Sequence, residues 1–331
     1  MNDQNRQWLL KRRPSGLVEA DDFDLAVAEV PSIDDGQFLI RQTLFSLDPA
    51  MRGWIADEPN YLPPVALGAV MRGLAAGEVV ESRHPDFAPG DLVSGLNGWQ
   101  EWAVGDGLTS KLPDGVDAET ALSVLGMTSI TAYFGLLDVG ALAEGETVLV
   151  SGAAGATGSI AGQIARLRGC WVVGIAGGPE KCGWLTGEAG FDAAIDYKAD
   201  DVGERLGELC PDGVDVFFDN VGGDVLDAVL PNLALRGRVV VCGSIVRFGP
   251  DGPPPGPRNY FQLIQKRARM EGFVILDYLG RVDEALSALR TWVDAGELVW
   301  RVDVQRGFEH LPEALIRLYE GANRGKQLLA I

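Results

Sequence analysis

The pattern of apolar and polar positions changes near residue 118. From about residue 16 to 118, short apolar runs alternate with turns; residues 79–96, VVESRHPDFAPGDLVSGL, predict a strand, a Pro/Gly turn and a second strand. The helical period over Glu119–Leu137 predicts a helix, and strands and helices then alternate to about residue 275. The chain therefore predicts a β-rich part followed by an α/β part.

Six short runs rich in Val and Ile predict strands that are buried on both faces. They are Thr147–Ser151, Trp171–Ala176, Ala193–Asp196, Val214–Asp219, Arg238–Cys242 and Gly272–Leu276. Helical patterns such as SIAGQIARLRG separate several of them, and this alternation predicts a doubly wound parallel sheet with right-handed crossovers. Between the last two strands, residues 248–260 (FGPDGPPPGPRNY) predict an irregular loop beside the ligand crevice.

The C-terminal part of the chain predicts a return to the β-rich domain. Residues 283–298 have an amphipathic helical pattern, and residues 299–331 predict a strand, a helix and a strand. A length of 331 residues also favours two domains. We predict one domain from residues 1–118 and 299–331, and a second from residues 119–298.

A glycine-rich segment follows the first strand of the α/β part. TVLVS is followed by GAAGATGS and a helix, so that Gly155 and Gly158 keep their places in the G-x-G-x-x-G fingerprint and Ala153 replaces its first glycine. Gly155 lets the backbone approach a pyrophosphate, Gly158 lets helix and strand pack closely, and the helix N-terminus attracts phosphate. Strand, loop, helix and second strand occur in the order that dinucleotide binding requires.

The end of the second strand indicates which dinucleotide is bound. A carboxylate at this point pairs with the ribose hydroxyls of NAD, but here the strand ends in Ala176-Gly177-Gly178-Pro179. Gly177 and Gly178 leave room for a 2′-phosphate and Lys181 adds a positive charge, so we predict NADP(H). Glu180 as a displaced ribose ligand is the alternative that favours NAD(H).

Composition and charge exclude several classes of function. A net charge of −19 repels nucleic acid and anionic membranes, and no run of about 18 apolar residues appears. The four cysteines, Cys170, Cys182, Cys210 and Cys242, lack Cys-x-x-Cys spacing, and with no secretion signal they favour a cytoplasmic protein with reduced thiols. A small molecule is therefore the expected partner.

Catalytic metal and hydrolytic triads are also disfavoured. His84 and His310 are the only histidines, the first 169 residues contain no cysteine, and no Gly-x-Ser-x-Gly or Tyr-x-x-x-Lys motif is present. We predict no metal. Hydride transfer without a metal suits an alkene conjugated to a carbonyl, because negative charge delocalises onto the oxygen.

Motifs along nearly the whole chain resemble those of a known family. They are SLDPAMRGW, LGMTSITAYFGLLDVG, AAGATGSIAGQIARLRGCWVVGIAGGPEKC, FDNVGG, VVVCGSI and PPPGPRNYFQLIQKRARMEGFV. This set is similar to the zinc-independent prostaglandin reductase/leukotriene B4 dehydrogenase group of the medium-chain dehydrogenase/reductase superfamily, with plant double-bond reductases and bacterial curcumin reductase. The resemblance implies a Rossmann domain plus a β-rich GroES-like catalytic domain, a homodimer, and NADPH-dependent reduction of α,β-unsaturated ketones and aldehydes.

The resemblance also implies a set of cofactor-binding residues. It assigns Gly155, Ala156, Thr157 and Gly158 to the pyrophosphate, Lys181 and Tyr197 to the adenosine phosphate end, and Met127 and Thr131 to the nicotinamide. Asn220, Cys242, Gly243, Ser244, Ile245, Phe273, Val274, Ile275 and Asn323 are expected to line the rest. Some have structural alternatives: Tyr197 as a strand cap, Cys242 as a packed small residue, Asn220 as a turn former, Phe273–Ile275 as a core strand, and Arg52 in a salt bridge.

Of two departures from the family pattern, the first concerns the expected hydrogen-bond donor and the second alters a loop only. The family often has a tyrosine after the CGxI turn, near the substrate carbonyl, where this chain has Phe248, and its GMPG motif is Gly126-Met127-Thr128-Ser129 here. Tyr260 is the nearest replacement donor in sequence, with the cofactor ribose or water as alternatives. A quinone reductase of the same fold and a non-catalytic NADPH-binding protein are the competing functional hypotheses.

Overall fold

The chain divides into two compact units. The computed structural model describes residues 4–105, 107–249 and 252–331. The first unit comprises Met1–Leu122 and Val302–Ile331, and the second comprises Ser123–Arg301. The sequence placed these boundaries at 118/119 and 298/299. They differ because Leu122 packs with Leu44 and Leu328 of the first unit, whereas the backbone of Val299 is hydrogen-bonded to Gln163 of the second.

Strands and helices are numbered in chain order. The strands are β1 Gln4–Leu10, β2 Phe23–Glu29, β3 Phe38–Ser46, β4 Ala75–Ser82, β5 Leu92–Gly95, β6 Trp102–Gly105, β7 Ser110–Lys111, β8 Thr147–Ser151, β9 Trp171–Ala176, β10 Ala193–Asp196, β11 Val214–Asp219, β12 Leu233–Val241, β13 Arg269–Gly272, β14 Val302–Arg306 and β15 Lys326–Ala330. The helices are α1 Ala50–Trp54, α2 Ala118–Leu122, α3 Met127–Phe134, α4 Ala156–Leu167, α5 Pro179–Gly187, α6 Val202–Leu209, α7 Gly223–Val229, α8 Gln262–Lys266, α9 Val282–Asp294 and α10 Leu311–Tyr319.

The first unit is built on a mainly antiparallel sheet. In its described residues the order is β14-β15-β3-β4-β5-β7, with β6 also paired to β3, and β1 pairs with β2 in a separate ribbon. The predicted strand, turn and strand of residues 79–96 are confirmed as parts of the β4–β5 pair. The predicted C-terminal strand, helix and strand are confirmed as β14, α10 and β15. Apolar side chains that include Phe45, Met51, Trp99 and Phe308 form the core.

The second unit contains the predicted parallel sheet. Its strand order is β10-β9-β8-β11-β12-β13, with every pair parallel. The strands predicted at β8, β9, β10 and β11 have the predicted bounds, and β12 starts earlier, at Leu233. Because β8 lies at the centre, its glycine-rich carboxyl end faces the point where the strand order reverses, which is where ligands bind in such sheets.

The sixth predicted strand is wrong in position. The strand is Arg269–Gly272, not Gly272–Leu276, and it pairs with β12 from Arg238↔Arg269 to Val241↔Gly272. As an edge strand it is exposed along its length, so its sequence is polar and the apolar run lies beyond it. Phe273–Ile275 is therefore not a core strand but the segment that leaves the carboxyl end of β13.

The helix predicted over Glu119–Leu137 is also wrong as a single helix. It consists of α2, a turn, α3 and a five-residue π-helical turn, Gly135–Val139. The break occurs because Gly126 is extended, with φ −94° and ψ −177°, and begins α3. The predicted loop at residues 248–260 is irregular except for a short helical turn ending at Phe248, although Pro250 and Asp251 lie outside the described residues. In the part of the chain that is described, no helix is long and apolar enough to cross a membrane.

Candidate active site

The glycine-rich loop joins β8 to α4 in a conformation that depends on glycine. Gly152 has φ +58°, and a Cβ on Gly158 would lie 2.5 Å from the Gly152 carbonyl oxygen. Gly155 begins α4 without a side-chain cap, so the first-turn N–H groups, on Ala156, Thr157 and Gly158, face outward from the helix N-terminus. Such a twelve-residue helix presents both N–H donors and a positive dipole end to an anion.

A buried polar network joins the ends of β8 and β11. The Ser151 hydroxyl donates to Asp219 Oδ1 at 2.7 Å, and the same oxygen accepts from the Val221 and Gly222 N–H groups at 3.0 Å. Asn220 is tied to Ser151 by its side-chain Nδ2, which donates to the Ser151 carbonyl at 2.7 Å, and by its backbone N–H. The predicted cofactor residue Asn220 is thus held beside the glycine-rich loop.

Asp219 is a buried carboxylate with one oxygen that lacks a partner among the described residues. It is 1% exposed, and its Oδ2 has no hydrogen-bond partner there. Burial raises the pKa of this carboxyl above its ordinary value, although its hydrogen bonds act in the opposite direction. Burying the unpartnered carboxylate oxygen therefore lowers the free energy of unfolding.

The predicted turn Cys242–Ile245 is tied to the same strand end. The Cys242 and Gly243 N–H groups donate to the Asp219 carbonyl at 2.9 and 3.0 Å, and the Ile245 N–H donates to the Asn220 carbonyl at 3.3 Å. Burial, with the nearby Asp219 charge, raises the pKa of the Cys242 thiol to about 12. A thiol with a raised pKa is a poor nucleophile at neutral pH.

The ends of β9 and β10 meet at the predicted adenosine end of the site. Gly178 has φ +94° and begins α5, whose first turn contains Lys181. The Gly178 N–H donates to Asp196 Oδ1 at 2.8 Å. Tyr197 follows β10 and exposes 51% of its surface. Its hydroxyl lies so close to the backbone of Gly177 that a Cβ on Gly177 would be only 3.0 Å from it. The structure brings Tyr197 against Gly177, just before the helix α5 whose first turn contains Lys181.

The residues predicted near the nicotinamide lie on α3 and after β13. Met127 is the first residue of α3, and its carbonyl accepts from the Thr131 hydroxyl at 2.8 Å. The Phe273 ring packs so closely over Gly135 that a Cβ there would lie 2.6 Å from the ring. Val274 and Ile275 follow β13 at the carboxyl edge of the parallel sheet, the edge that also holds the glycine-rich loop after β8.

Three further predicted residues lie on other segments of the chain. Asn323 lies in the first unit, where its Nδ2 donates to the Gly325 carbonyl at 2.8 Å. Phe248 ends the short helical turn after the Cys242–Ile245 segment. Tyr260 exposes 63% of its surface, and its neighbour Asn259 is hydrogen-bonded to Asp227 of α7.

Comparison with known proteins identifies the family. A model described as the N-terminal domain of oxidoreductase matches residues 6–112, and one described as zinc-binding dehydrogenase matches residues 156–291. The NADPH-dependent curcumin reductase of Escherichia coli (strain K12) is 42% identical, over 99% of this chain and 97% of that protein. The chain belongs to the zinc-independent medium-chain dehydrogenase/reductases. Its second unit is their Rossmann domain and its β-rich first unit their GroES-like domain.

Two further relatives place the chain among the reductases of this family. The 2-alkenal reductase (NADP(+)-dependent) of Nicotiana tabacum is 38% identical, over 99% of this chain and 97% of the relative. The crystal structure of CurA in complex with NADPH from Vibrio vulnificus superposes with a TM-score of 0.93 at 40% identity, covering 98% of both chains. The chain is thus an NADP-dependent oxidoreductase.

The histidines that a zinc-dependent member would need have other contacts. His84 Nδ1 accepts from the Asp86 N–H at 3.1 Å, and its ring meets Phe38 and Phe87 edge-on. His310 is exposed on the surface of the first unit. Within the described ranges, no group of three or more His, Cys, Asp or Glu side chains could hold a metal ion.

Arg52, for which a salt bridge and a ligand contact are both open, binds backbone carbonyls. Its guanidinium donates to the carbonyls of Gly16 and Pro14 at 2.9 Å. Conversely, sequence reasoning missed Ser151, Asp219 and Asp196, which fix the loops of the site. The available signal was a polar residue at the last position of an otherwise apolar buried strand.

Proposed function

We propose that this protein uses NADPH to reduce the carbon–carbon double bond of α,β-unsaturated ketones and aldehydes. The hydride goes to the β-carbon and a proton to the α-carbon. The observation that carries the proposal is the uncapped N-terminus of α4 behind a glycine-dependent loop. It is supported by relatives named for reduction of curcumin and of 2-alkenals with NADPH or NADP.

The residues present fit a dinucleotide phosphate. Gly158 leaves a cradle that a Cβ would fill, and the N–H groups of Ala156, Thr157 and Gly158 suit a pyrophosphate. Lys181 and Tyr197 are proposed to hold the adenosine phosphate, and Asn220, the Cys242–Ile245 turn, Phe273–Ile275 and Asn323 the remainder. Bound NADPH would supply the hydride.

The chain's own groups must hold the alkene and stabilise negative charge on its carbonyl oxygen. A hydrogen-bond donor aimed at that oxygen contributes about 3–4 kcal/mol in comparable sites. Phe248 cannot donate, so we propose Tyr260 as the donor that meets the developing charge. Tyr260 is exposed, and a donor acts most strongly where water is excluded. The proposal therefore requires that the bound substrate cover the Tyr260 hydroxyl.

The experiment is an assay of NADPH oxidation against three sets of conditions: enones and enals, quinones, and buffer without acceptor. We expect turnover with the first set, with the saturated ketone or aldehyde as product. Turnover with quinones alone would instead make the protein a quinone reductase. NADPH binding without turnover on any acceptor would make it a binding protein.

We also propose a homodimer, supported by the edge of the Rossmann sheet. Among the described residues, the strand β13 pairs only with β12, and all four of its residues are exposed. An exposed edge of this kind offers unpaired N–H and C=O groups to a second copy. Light scattering on the eluting protein should give twice 35.4 kDa, and Met270→Pro, which removes an N–H in β13, should shift the mass towards the monomer.

A further inference from the structure

The side chain of Lys198 lies across the backbone of Gly177. A Cβ built on Gly177 would be 2.9 Å from Lys198 Cε and 3.0 Å from the Tyr197 hydroxyl. Both side chains come from the end of β10, yet they cover the end of β9, where a dinucleotide-binding sheet places the ribose of the adenosine. Gly177 accepts this approach because it has no side chain.

The position of Lys198 is fixed by its backbone. The Lys198 N–H donates to Asp196 Oδ1 at 3.1 Å, and the Gly178 N–H donates to the same oxygen at 2.8 Å. One carboxylate therefore ties the turn after β9 to the turn after β10. As a result, the stem of Lys198 starts beside the glycine pair that leaves room for a 2′-phosphate.

The ammonium group of Lys198 is available for a ligand. Lys11, Lys111 and Lys326 pair with Asp24, Asp91 and Asp48. The Lys198 ammonium, in contrast, has no ion-pair partner within 4.0 Å among the residues that the structure describes. In a chain with a net charge of −19, an unpaired cation over a glycine backbone is a local exception to the global field.

We infer that Lys198 contacts the 2′-phosphate of NADP(H) and is a determinant of specificity for that cofactor over NAD(H). The inference rests on the proposed use of NADPH and adds a second cation to Lys181 and Tyr197, from the same strand end as Tyr197. A lysine ammonium neutralises the phosphate as a point charge, while the α4 N-terminus holds the pyrophosphate. The two phosphate sites therefore lie at the ends of different strands.

The test uses two fragments of the cofactor that differ in one phosphate. Titration calorimetry should show that wild-type protein binds 2′,5′-ADP more tightly than 5′-AMP. Lys198→Ala should weaken 2′,5′-ADP binding about tenfold and change 5′-AMP binding by less than about twofold, since a charge-assisted contact contributes about tenfold or more in affinity. Lys198→Arg should restore most of the loss.

Two controls separate a phosphate contact from a structural effect. Lys266→Ala removes a lysine in the last turn of α8 and should leave both affinities unchanged. Raising the salt concentration from about 0.05 M to 0.5 M should shrink the effect of Lys198→Ala, because the side chain is exposed and its charge is screened.

Equal loss of both ligands in Lys198→Ala, or no loss of 2′,5′-ADP, would overturn the inference. Wild-type protein with no preference for 2′,5′-ADP would overturn it as well. The alkene assay is a separate measurement. If the protein turns over enones but Lys198→Ala binds 2′,5′-ADP normally, only the role of Lys198 is rejected. If 2′,5′-ADP binding depends on Lys198 but no enone is turned over, only the proposed reaction is rejected.

Discussion

The hydroxyl of Ser151 and the carboxylate of Asp219 are joined by a 2.7 Å hydrogen bond at the ends of two neighbouring strands. Both residues are almost fully buried. Since Asp219 also receives the N–H groups of Val221 and Gly222, this one pair connects the glycine-rich loop to the loop that contains Asn220. The pair fixes loop geometry without itself being placed to touch a substrate.

Asp219 is predicted to make stability fall with rising pH. Burial raises its pKa in the folded protein, while the unfolded carboxyl titrates near about 3.9. Above that pH the unfolded chain releases its proton first, so this residue's contribution to stability decreases until pH passes the folded pKa. Asp219→Asn keeps an acceptor oxygen and removes this term.

Urea unfolding of both proteins between pH 3.5 and 8 measures the effect. The free energy of unfolding of Asp219→Asn minus that of wild type should increase from about pH 4 upward and then level off. A difference that stays flat over the whole range would mean that the carboxyl titrates normally.

Gly158→Ala is predicted to destabilise the Rossmann domain and weaken NADPH binding. The new methyl group would lie 2.5 Å from the Gly152 carbonyl oxygen and 2.9 Å from the Ala153 Cα, both backbone atoms that cannot turn away. Overpacking of this kind costs about 1–3 kcal/mol. Thermal unfolding and NADPH titration measure the two effects.

Gly207→Ala is the matched control. Gly207 is in α6, and a Cβ there meets no atom within 4 Å. Alanine in a helix interior is favoured over glycine by about 0.5–1 kcal/mol, so this variant should be slightly stabilised with normal NADPH affinity. Similar behaviour of the two variants would contradict the close packing at Gly158.

Tyr260→Phe is predicted to lower turnover on an enone about tenfold at saturating NADPH, or about 1.4 kcal/mol in the barrier. The reason is the loss of the proposed donor to the carbonyl oxygen. Phe248→Tyr, which restores the hydroxyl where the family often has one, should raise turnover in the Tyr260→Phe background. Unchanged turnover of Tyr260→Phe with intact cofactor binding would assign the proton to the ribose hydroxyl or to water.

Chelation is predicted to leave the reaction rate unchanged. Both histidines have contacts unrelated to a metal site, and in the proposed chemistry hydrogen-bond donors stabilise the charge that develops on the carbonyl oxygen. Purified protein should contain well under one equivalent of zinc. Activity that is lost with a chelator and regained with added zinc would reject this mechanism.

The sequence was sufficient for the β8–α4 unit and for the central strands. Their Val- and Ile-rich runs are buried on both faces, so composition and structure coincide, and the glycine spacing follows from the close approach at Gly158. The edge strand β13 was misplaced for the opposite reason. Arg269 and Glu271 face solvent there, so the apolar run after Gly272 gave the stronger signal.

Contacts between strand ends could not be predicted from linear spacing. Asp196 is the last residue of β10 and Lys198 follows it. Only the pairing of β9 with β10 brings these two residues beside Gly177 and Gly178. Likewise, Ser151 and Asp219 are 68 positions apart and meet because β8 pairs with β11. The residues after β9 therefore indicated Lys181 in the sequence, whereas nothing in the linear spacing indicated Lys198.

The pairing of β15 with β3 sets the order in which the chain can complete its domains during synthesis. The β3 strand (Phe38–Ser46) gains its β15 neighbour only when Leu328–Ala330 have left the ribosome, whereas the Rossmann sheet is complete once β13 and the following helix have emerged. Until then the edge of β3 that pairs with β15 stays open in the nascent GroES-like domain, and an unpaired strand edge promotes aggregation. In this enzyme the strand β3 is made before the Rossmann sheet, yet it belongs to the domain that closes later.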